Sequence, residues 1–172
     1  LFQTAQPLLW NGNVELEFYP NRDSVKYQAL YHLEDADTFI RGTIRRKGYA
    51  EAWHALVCLG MTDDEVQLPV SIKTHRDFLS VFIPTHRYSQ DGLEDHLGFK
   101  ISKTVWNKIS YLELDSSTLF PSQFKTAAEY LQSILEEKWK LNENDKDWVL
   151  MQHRIVTQKG RSYKEYISTL SV

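Results

Sequence analysis

Cysteine, glycine and long apolar runs are all scarce in this chain of 172 residues. The single cysteine, Cys58, excludes an intrachain disulfide and fits a reducing compartment. Because it lies in an apolar helical pattern, we expect it to be a small core residue. No stretch reaches the roughly 18 consecutive apolar residues of a membrane-spanning helix, and no N-terminal secretion signal is present. These absences predict a cytoplasmic protein without a membrane partner.

The seven glycines form no phosphate-binding loop. Neither GxGxxG nor GxxxxGKS/T occurs, and these are the motifs that bring backbone amides close to phosphate groups. The net charge of -3 and the pI near 6.1 argue against a nucleic-acid partner, because phosphate binding requires a basic surface. The six histidines form neither HExxH nor an i,i+4 pair, so no metal site is expected.

The chain does contain enough apolar sequence for one ordered unit. Its composition is 42% hydrophobic and 25% charged, which is typical of a soluble domain. Periodicity predicts strands at residues 13–19, 38–46, 148–158 and 163–172. The last two strands are expected to turn at Lys159 and Gly160. Helices are predicted at residues 25–33, 48–60, 77–83, 91–100, 102–114 and 122–141.

These elements predict an α+β fold. We expect a single domain spanning residues 1–172, with a mixed sheet that carries helices mainly on one face. Residues 61–141 are expected to form an inserted helical subdomain. Alternation along residues 13–19 sends one set of side chains to the core: Val14, Leu16 and Phe18. The other set is expected to face outward: Glu15, Glu17 and Tyr19.

Arginines are concentrated on one face of the predicted strand 38–46. Alternation places four side chains on this face: Phe39, Arg41, Thr43 and Arg45. Arg22 lies in a turn earlier in the chain. A planar guanidinium binds a carboxylate through two parallel hydrogen bonds, so this face suits a small polycarboxylate. A solvated sheet face or an intersubunit salt-bridge patch is the alternative interpretation.

Two predicted helix starts lie beside these arginines. Asp23 or Ser24 can cap the helix at residues 25–33, since a short side-chain oxygen accepts a hydrogen bond from an otherwise unpaired amide. The start of the helix at residues 48–60, near Gly48, is expected to lie beside Arg45 and Arg46. An anion there would gain from the helix dipole and from the guanidinium groups.

Residues 18–60 resemble the substrate-binding domain of the saccharopine dehydrogenase family. The shared motifs are YPNRDS at residues 19–24, RGTIR and KGY at residues 41–45 and 47–49, and LV and LG at residues 56–57 and 59–60. In addition, KDWVLMQHRI at residues 146–155 is similar to a late strand of the same domain. The chain departs from the family at Arg46, where Tyr is frequent, and in its middle region.

The resemblance implies part of an NAD(P)-dependent oxidoreductase that acts on a C–N bond in lysine metabolism. It also implies a fold like that of the glyceraldehyde-3-phosphate dehydrogenase C-terminal domain. NAD or NADP would bind to a Rossmann domain that this sequence lacks. We therefore expect a domain cut from a longer dehydrogenase, inactive alone and with its catalytic residues unknown. The implied partners are an amino-acid-derived substrate and a second copy of the chain, paired through the sheet face.

The resemblance and the arginine face together select six candidate binding residues. Arg22 and Arg41 are expected to bind substrate carboxylates, with Thr43 and Arg45 as hydrogen-bonding or charge support. Tyr19 and Asn21 are expected to shape the pocket. Two alternatives stay open. One is a carboxynorspermidine dehydrogenase-type enzyme, whose amine-rich substrate would favour Glu15 or Glu17, and the other is a noncatalytic dimerisation module.

Overall fold

Three antiparallel strands form a sheet in the first part of the chain. The computed structural model describes residues 2–10, 12, 14–119 and 124–172. Within these ranges the sheet has the order β1 (Gln6–Trp10), β2 (Val14–Pro20) and β3 (Gly42–Arg46). Because each strand pairs with its neighbour in antiparallel register, directly opposite residues share a face.

Helices dominate the chain after β3. They are α1 (Tyr49–Cys58), α2 (His75–Phe82), α3 (Gln90–Leu97), α4 (Lys103–Ser110) and α5 (Ala127–Lys138). In α5, Tyr130, Leu131 and Ile134 recur at helical spacing and are buried. The same spacing in the other helices builds one core cluster, in which Phe78 and Leu79 are fully buried. The main core therefore lies among the helices, and α1 joins it to β2 and β3.

Two helices begin with reciprocal caps. At α2 the Thr74 side chain accepts a hydrogen bond from the Asp77 amide, and the Asp77 carboxylate accepts from the amides of Thr74 and Lys73. At α5 Thr126 and Glu129 repeat this arrangement. Hydrogen bonds from the Lys73 amide and the Thr74 hydroxyl lower the pKa of Asp77, and those from the Lys125 and Thr126 amides lower the pKa of Glu129.

These caps make stability depend on acid pH. A carboxylate whose pKa is lower in the folded state stabilises the fold fully above its ordinary pKa, here 3.8 for Asp77 and 4.5 for Glu129. That contribution is lost as the pH falls through the folded-state pKa. We therefore expect the urea concentration at the unfolding midpoint to decrease once the pH is lower than about 5. In the double variant Asp77→Asn, Glu129→Gln, this midpoint should depend less on pH in the acid range. An unchanged pH dependence would contradict the role of the two caps.

Residues Leu141–Val172 form a separate compact unit. It is an antiparallel hairpin of β4 (Leu150–Lys159) and β5 (Ser162–Ser171), in which Lys159 pairs with Ser162. The turn depends on Gly160, whose φ of 62° lies in the left-handed region that glycine adopts without strain. The hairpin was predicted from the sequence and is confirmed, with its turn at Gly160 and Arg161, one residue later than predicted.

The helix predictions agree with the structure more closely than the strand predictions do. Every helix predicted between residues 48 and 141 is present with shifted ends, although the predicted start at Ser122 lies outside the described residues. The helix predicted at residues 25–33 is wrong, since this segment contains two short 3-10 turns, Val25–Tyr27 and Ala29–Tyr31. No helix in the described ranges has the length and apolar content to cross a membrane.

The predicted sheet requires three corrections. β1 was not predicted, and the strand predicted at residues 38–46 is shorter, because residues 38–41 precede β3. The predicted start of the first strand at Asn13 lies outside the described residues. The expected single mixed sheet is wrong for the described strands, which form two antiparallel sheets. The short connections between β1 and β2 and between β4 and β5 require antiparallel pairing of these strands.

Candidate functional site

The register of β2 and β3 gathers the predicted polar residues on one face of the sheet. Tyr19 lies opposite Thr43, and Glu17 lies opposite Arg45. The four side chains therefore project to the same side. The start of α1 lies on this side as well, because the Glu17 carboxylate accepts hydrogen bonds from two amides at that helix start. The candidate site is thus the corner between this sheet face and the first turn of α1.

Glu17 occupies the helix start that was expected to receive an external anion. Its carboxylate accepts hydrogen bonds from the amides of Gly48 at 2.9 Å and Ala50 at 2.6 Å. Two of the orphan donors at the helix start are therefore already paired. Glu17 and Tyr19 are also buried, at 9% and 8% exposure, so their predicted outward orientation is wrong. The reason is that α1 covers this face of the sheet, and the alternation of residues along a strand does not reveal such a cover.

Tyr19 is the centre of a row of polar side chains. The side chains of Thr43 and Tyr49 lie near its hydroxyl and affect its pKa. Thr43 in turn donates to the Asn21 side-chain oxygen at 2.9 Å. Burial, followed by the neighbouring Tyr49, raises the pKa of Tyr19, whereas Arg45 opposes this shift. At neutral pH the phenol therefore keeps its proton and can act as a hydrogen-bond donor.

Arg45 is the exposed cation at the end of this row. Its guanidinium lies over the Tyr49 ring, 5.3 Å from the ring centroid, and one nitrogen donates to the Ile44 carbonyl at 2.9 Å. Glu17 is opposite in the sheet, but its oxygens are bound by the α1 amides. Across the described ranges, no ion pair joins Arg45 to a carboxylate. Arg45 is thus positioned by an aromatic ring and retains donors for an anion.

The YPNRDS turn is tied to the backbone of Arg41 by Ser24. The Ser24 hydroxyl contacts both the amide and the carbonyl of Arg41 at 3.1 Å, and the Asn21 amide donates to the same carbonyl at 2.7 Å. Ser24 makes no side-chain cap, so the predicted N-cap at this position is wrong. The Arg41 guanidinium stacks on the Tyr27 ring at 3.7 Å. Arg22 is exposed in the same turn.

A groove lined mainly by α1, α4 and α5 opens beside Arg45. Its volume is about 850 Å³, and its walls include Trp53 and Trp139. Lys108 of α4 also lines it. Sequence analysis did not find these three residues as a site, because they are spread over the sequence between positions 53 and 139 and each fits an ordinary amphipathic helix. Only the packing of the helices brings them together.

Two other sequence expectations concern reactive side chains. Cys58 is exposed, so its expected place in the core is wrong. Its sulfur lies 3.7 Å from both ring nitrogens of His54, one helical turn earlier. Over the described parts of the chain, no group of three or more His, Cys, Asp or Glu side chains is arranged to hold a metal ion.

The nicotinamide dinucleotide implied by the resemblance does not fit the described residues. Its pyrophosphate requires a glycine-rich turn between a strand and a helix N-terminus. In the described ranges α1 alone among the α-helices directly follows a strand, and the turn before it contains a single glycine, Gly48. The first amides of α1 already bind Glu17. We therefore assign no hydride-transfer step to these residues.

A small antiparallel sheet and a helical core, with a polar corner between them, define this chain as an α+β domain. Residues 1–171 match the family model of the saccharopine dehydrogenase C-terminal domain. The chain belongs to this family. The family predicted from the YPNRDS and RGTIR motifs is thereby confirmed, whereas the likeness to glyceraldehyde-3-phosphate dehydrogenase stays a prediction.

Curated relatives and a solved structure agree with the family. The chain is 28% identical to saccharopine dehydrogenase [NADP(+), L-glutamate-forming] of Schizosaccharomyces pombe, over 94% of this chain and 38% of that protein. The same enzyme of Saccharomyces cerevisiae is 30% identical over 90% of this chain and 36% of that protein. Mitochondrial alpha-aminoadipic semialdehyde synthase of Mus musculus is 44% identical over 36% of this chain and 7% of that protein.

The solved structure is apo saccharopine dehydrogenase (L-Glu forming) from Saccharomyces cerevisiae. Its TM-score is 0.81 at 27% sequence identity, and the match covers all of this chain and 40% of that one. The chain therefore spans less than half the length of the fungal relatives it matches. The matching part is a domain of those longer enzymes.

Proposed function

We propose that this chain is the substrate-binding part of an NADP-dependent saccharopine dehydrogenase of lysine metabolism. The observation that supports it most directly is the match to the family's C-terminal domain along residues 1–171. The names of the fungal relatives specify NADP(+) and the L-glutamate-forming reaction. The cofactor would bind to another domain of the complete enzyme, so the chain alone is expected to be inactive.

In this proposal the corner between β3 and α1 binds the substrate's carboxylates. Arg45 supplies a guanidinium fork that no carboxylate of the described residues occupies. Thr43 and Tyr19 supply hydroxyl groups, and the hydrogen bond that Thr43 donates to Asn21 fixes the orientation of the Thr43 hydroxyl. Arg22 and Arg41, both in the segment tied by Ser24, supply further cations for a substrate with three carboxylates.

The chemical contribution of this part is binding and orientation. Saccharopine carries three carboxylates, whereas glutamate carries two and lysine one, and several guanidinium groups discriminate between these ligands by the number of carboxylates. Arg41 is held by its stack on Tyr27, which reduces the entropy lost when it binds. The proton-transfer groups and the hydride acceptor would lie in the remaining part of the enzyme.

Calorimetric titration of the chain with saccharopine, lysine, glutamate and carboxynorspermidine at low salt tests this proposal. We expect selective binding of saccharopine and weaker binding by the Arg22→Ala and Arg41→Ala variants. Arg161→Ala, in the exposed hairpin turn, is the matched control. Preference for carboxynorspermidine, or no binding by the folded chain, would contradict a carboxylate site on this domain.

Homodimerisation through the sheet face and a cytoplasmic location are further parts of the proposal. The Arg41→Glu variant separates dimerisation from ligand binding, because a reversed charge on a ligand-binding arginine abolishes binding without changing the assembly. Light scattering of this variant and of the wild type measures the assembly directly. A variant that becomes monomeric and still binds saccharopine would assign Arg41 to an interface instead.

A further inference from the structure

The groove beside Arg45 has the size and shape of a small-molecule site. Its volume of about 850 Å³ falls within the range of roughly 300–1,000 Å³ that is usual for ligand pockets. The buried side chains of Leu112 and Leu135 are part of its lining. The proposed carboxylate site uses only Arg45 of the groove's lining residues, so most of this space has no role in that proposal.

The walls of the groove are aromatic rings that hold one another in place. Trp53 and Trp139 meet edge to face with 6.4 Å between their centroids, and Tyr49 lies 6.1 Å from Trp53. The Tyr111 hydroxyl donates to the Lys138 carbonyl at 3.1 Å, which orients its ring. Trp139 nevertheless remains 52% exposed. A rigid, exposed indole beside further rings offers a stacking surface to a flat ligand.

The charge of the groove has one sign. Arg45, Arg46 and Lys108 line it, and none of its described lining residues is Asp or Glu. The Lys108 side chain packs beside Gly48, where a Cβ would lie 3.4 Å from the Lys108 Cε. The neighbouring Lys138, in contrast, is ion-paired with Glu113 at 2.5 Å. An anionic group therefore matches the rim of this groove although the chain has a net negative charge.

We infer that this groove binds a small carboxylate with a flat aromatic body. The indole rings of Trp53 and Trp139 would stack on the body, while Lys108 and Arg45 would bind the carboxylate. Saccharopine is aliphatic and polar along its whole length, so it does not need this aromatic wall. The aromatic carboxylate is thus a second ligand class.

Arg45 connects the two sites, and this connection has a regulatory consequence that rests on the proposed function. A carboxylate bound to Arg45 from the groove side occupies the guanidinium donors. These donors are then not available to a substrate carboxylate. The two ligands should therefore compete, so that an aromatic carboxylate weakens saccharopine binding. Direct binding of the aromatic ligand does not depend on saccharopine and can be measured without it.

Titration of the full chain with 2-naphthoate and with 2-naphthamide tests the inference. The two probes share a ring system and differ in charge. We expect 2-naphthoate to bind and 2-naphthamide to bind about tenfold more weakly, because a charge-assisted hydrogen bond contributes about that factor. Lys108→Met retains the aliphatic stem and should weaken 2-naphthoate by three- to tenfold, without changing 2-naphthamide. Lys140→Met, a change outside the groove, is the control.

The aromatic wall is tested by Trp139→Leu, which should weaken both probes because the stacking surface is lost. Trp139 is half exposed, and thermal unfolding checks that the variant remains folded. Equal binding of the two probes, or an unchanged affinity in Lys108→Met, would overturn the assignment. Absence of binding would overturn it too and would favour a groove covered by another protein segment. Binding of 2-naphthoate without displacement of saccharopine would overturn only the competition through Arg45.

Discussion

Replacing Glu17 with alanine is expected to lower the free energy of unfolding by about 2–4 kcal/mol, because its carboxylate makes two charge-assisted hydrogen bonds at a buried helix start. The bonds run from the amides of Gly48 and Ala50. Without the carboxylate these two amides lose their acceptor in a position where Glu17 itself is only 9% exposed. The variant also lacks the hydrogen bonds by which the Glu17 carboxylate links β2 to α1.

Urea unfolding of the wild type and the variant measures this effect. Glu15→Ala is the matched control, because Glu15 lies two residues away on the same strand face and pairs with Lys47 in solvent at 3.0 Å. An exposed ion pair contributes about 0–1 kcal/mol, so the control should remain close to the wild type. Glu17→Gln should be intermediate, since its amide oxygen can still accept one hydrogen bond. Similar losses in Glu15→Ala and Glu17→Ala would contradict the role of Glu17 as a helix cap.

Replacing Arg45 with methionine is expected to weaken saccharopine binding by about 10- to 100-fold, which corresponds to the loss of a charge-assisted interaction of roughly 1.5–3 kcal/mol. Methionine retains an unbranched apolar stem over Tyr49, so the change removes the charge with little loss of packing. The folded structure should be unaffected, because the Arg45 side chain is exposed and donates its hydrogen bond to the adjacent Ile44 carbonyl.

Calorimetry at several salt concentrations measures this effect, because an ionic contact weakens as salt increases. The wild type should lose affinity steeply with salt, and Arg45→Met should have a shallower dependence. Arg161→Met in the hairpin turn controls for the removal of one exposed arginine. If Arg45→Met binds saccharopine as tightly as the control, the carboxylate contact belongs to Arg22 or Arg41 and not to the strand.

The sequence predicted the local elements well where one physical signal dominates. The apolar spacing of α5 and the glycine turn of the hairpin each depend on neighbouring residues, and both predictions were confirmed. The family prediction was confirmed for a similar reason, since YPNRDS and RGTIR are continuous in the chain. In contrast, the helix at residues 25–33 was predicted from a cap that does not form, because the Ser24 hydroxyl binds the backbone of Arg41, 17 positions later.

The candidate site was predicted in composition but not in arrangement. Thr43 and Arg45 do share a strand face, and Tyr19 pairs with Thr43. The role of Glu17 was missed because a carboxylate on an alternating strand has the same pattern whether it faces water or a helix start. Lys108 and Trp139 were missed because nothing in their own segments distinguishes them from an ordinary amphipathic helix. The roles of the six candidate binding residues stay predictions.

The sequence by itself determined the periodic elements, the absence of a glycine-rich nucleotide loop and the family motifs, because these depend on residues close together in the chain. The tertiary structure alone decided that Glu17 caps α1, that Arg41 stacks on Tyr27 and that an aromatic groove opens beside Arg45. The first two contacts join residues separated by 14 or more positions, and the groove brings together residues as far apart as Arg45 and Trp139. Their formation depends on packing of the whole domain, which no local pattern of residues specifies.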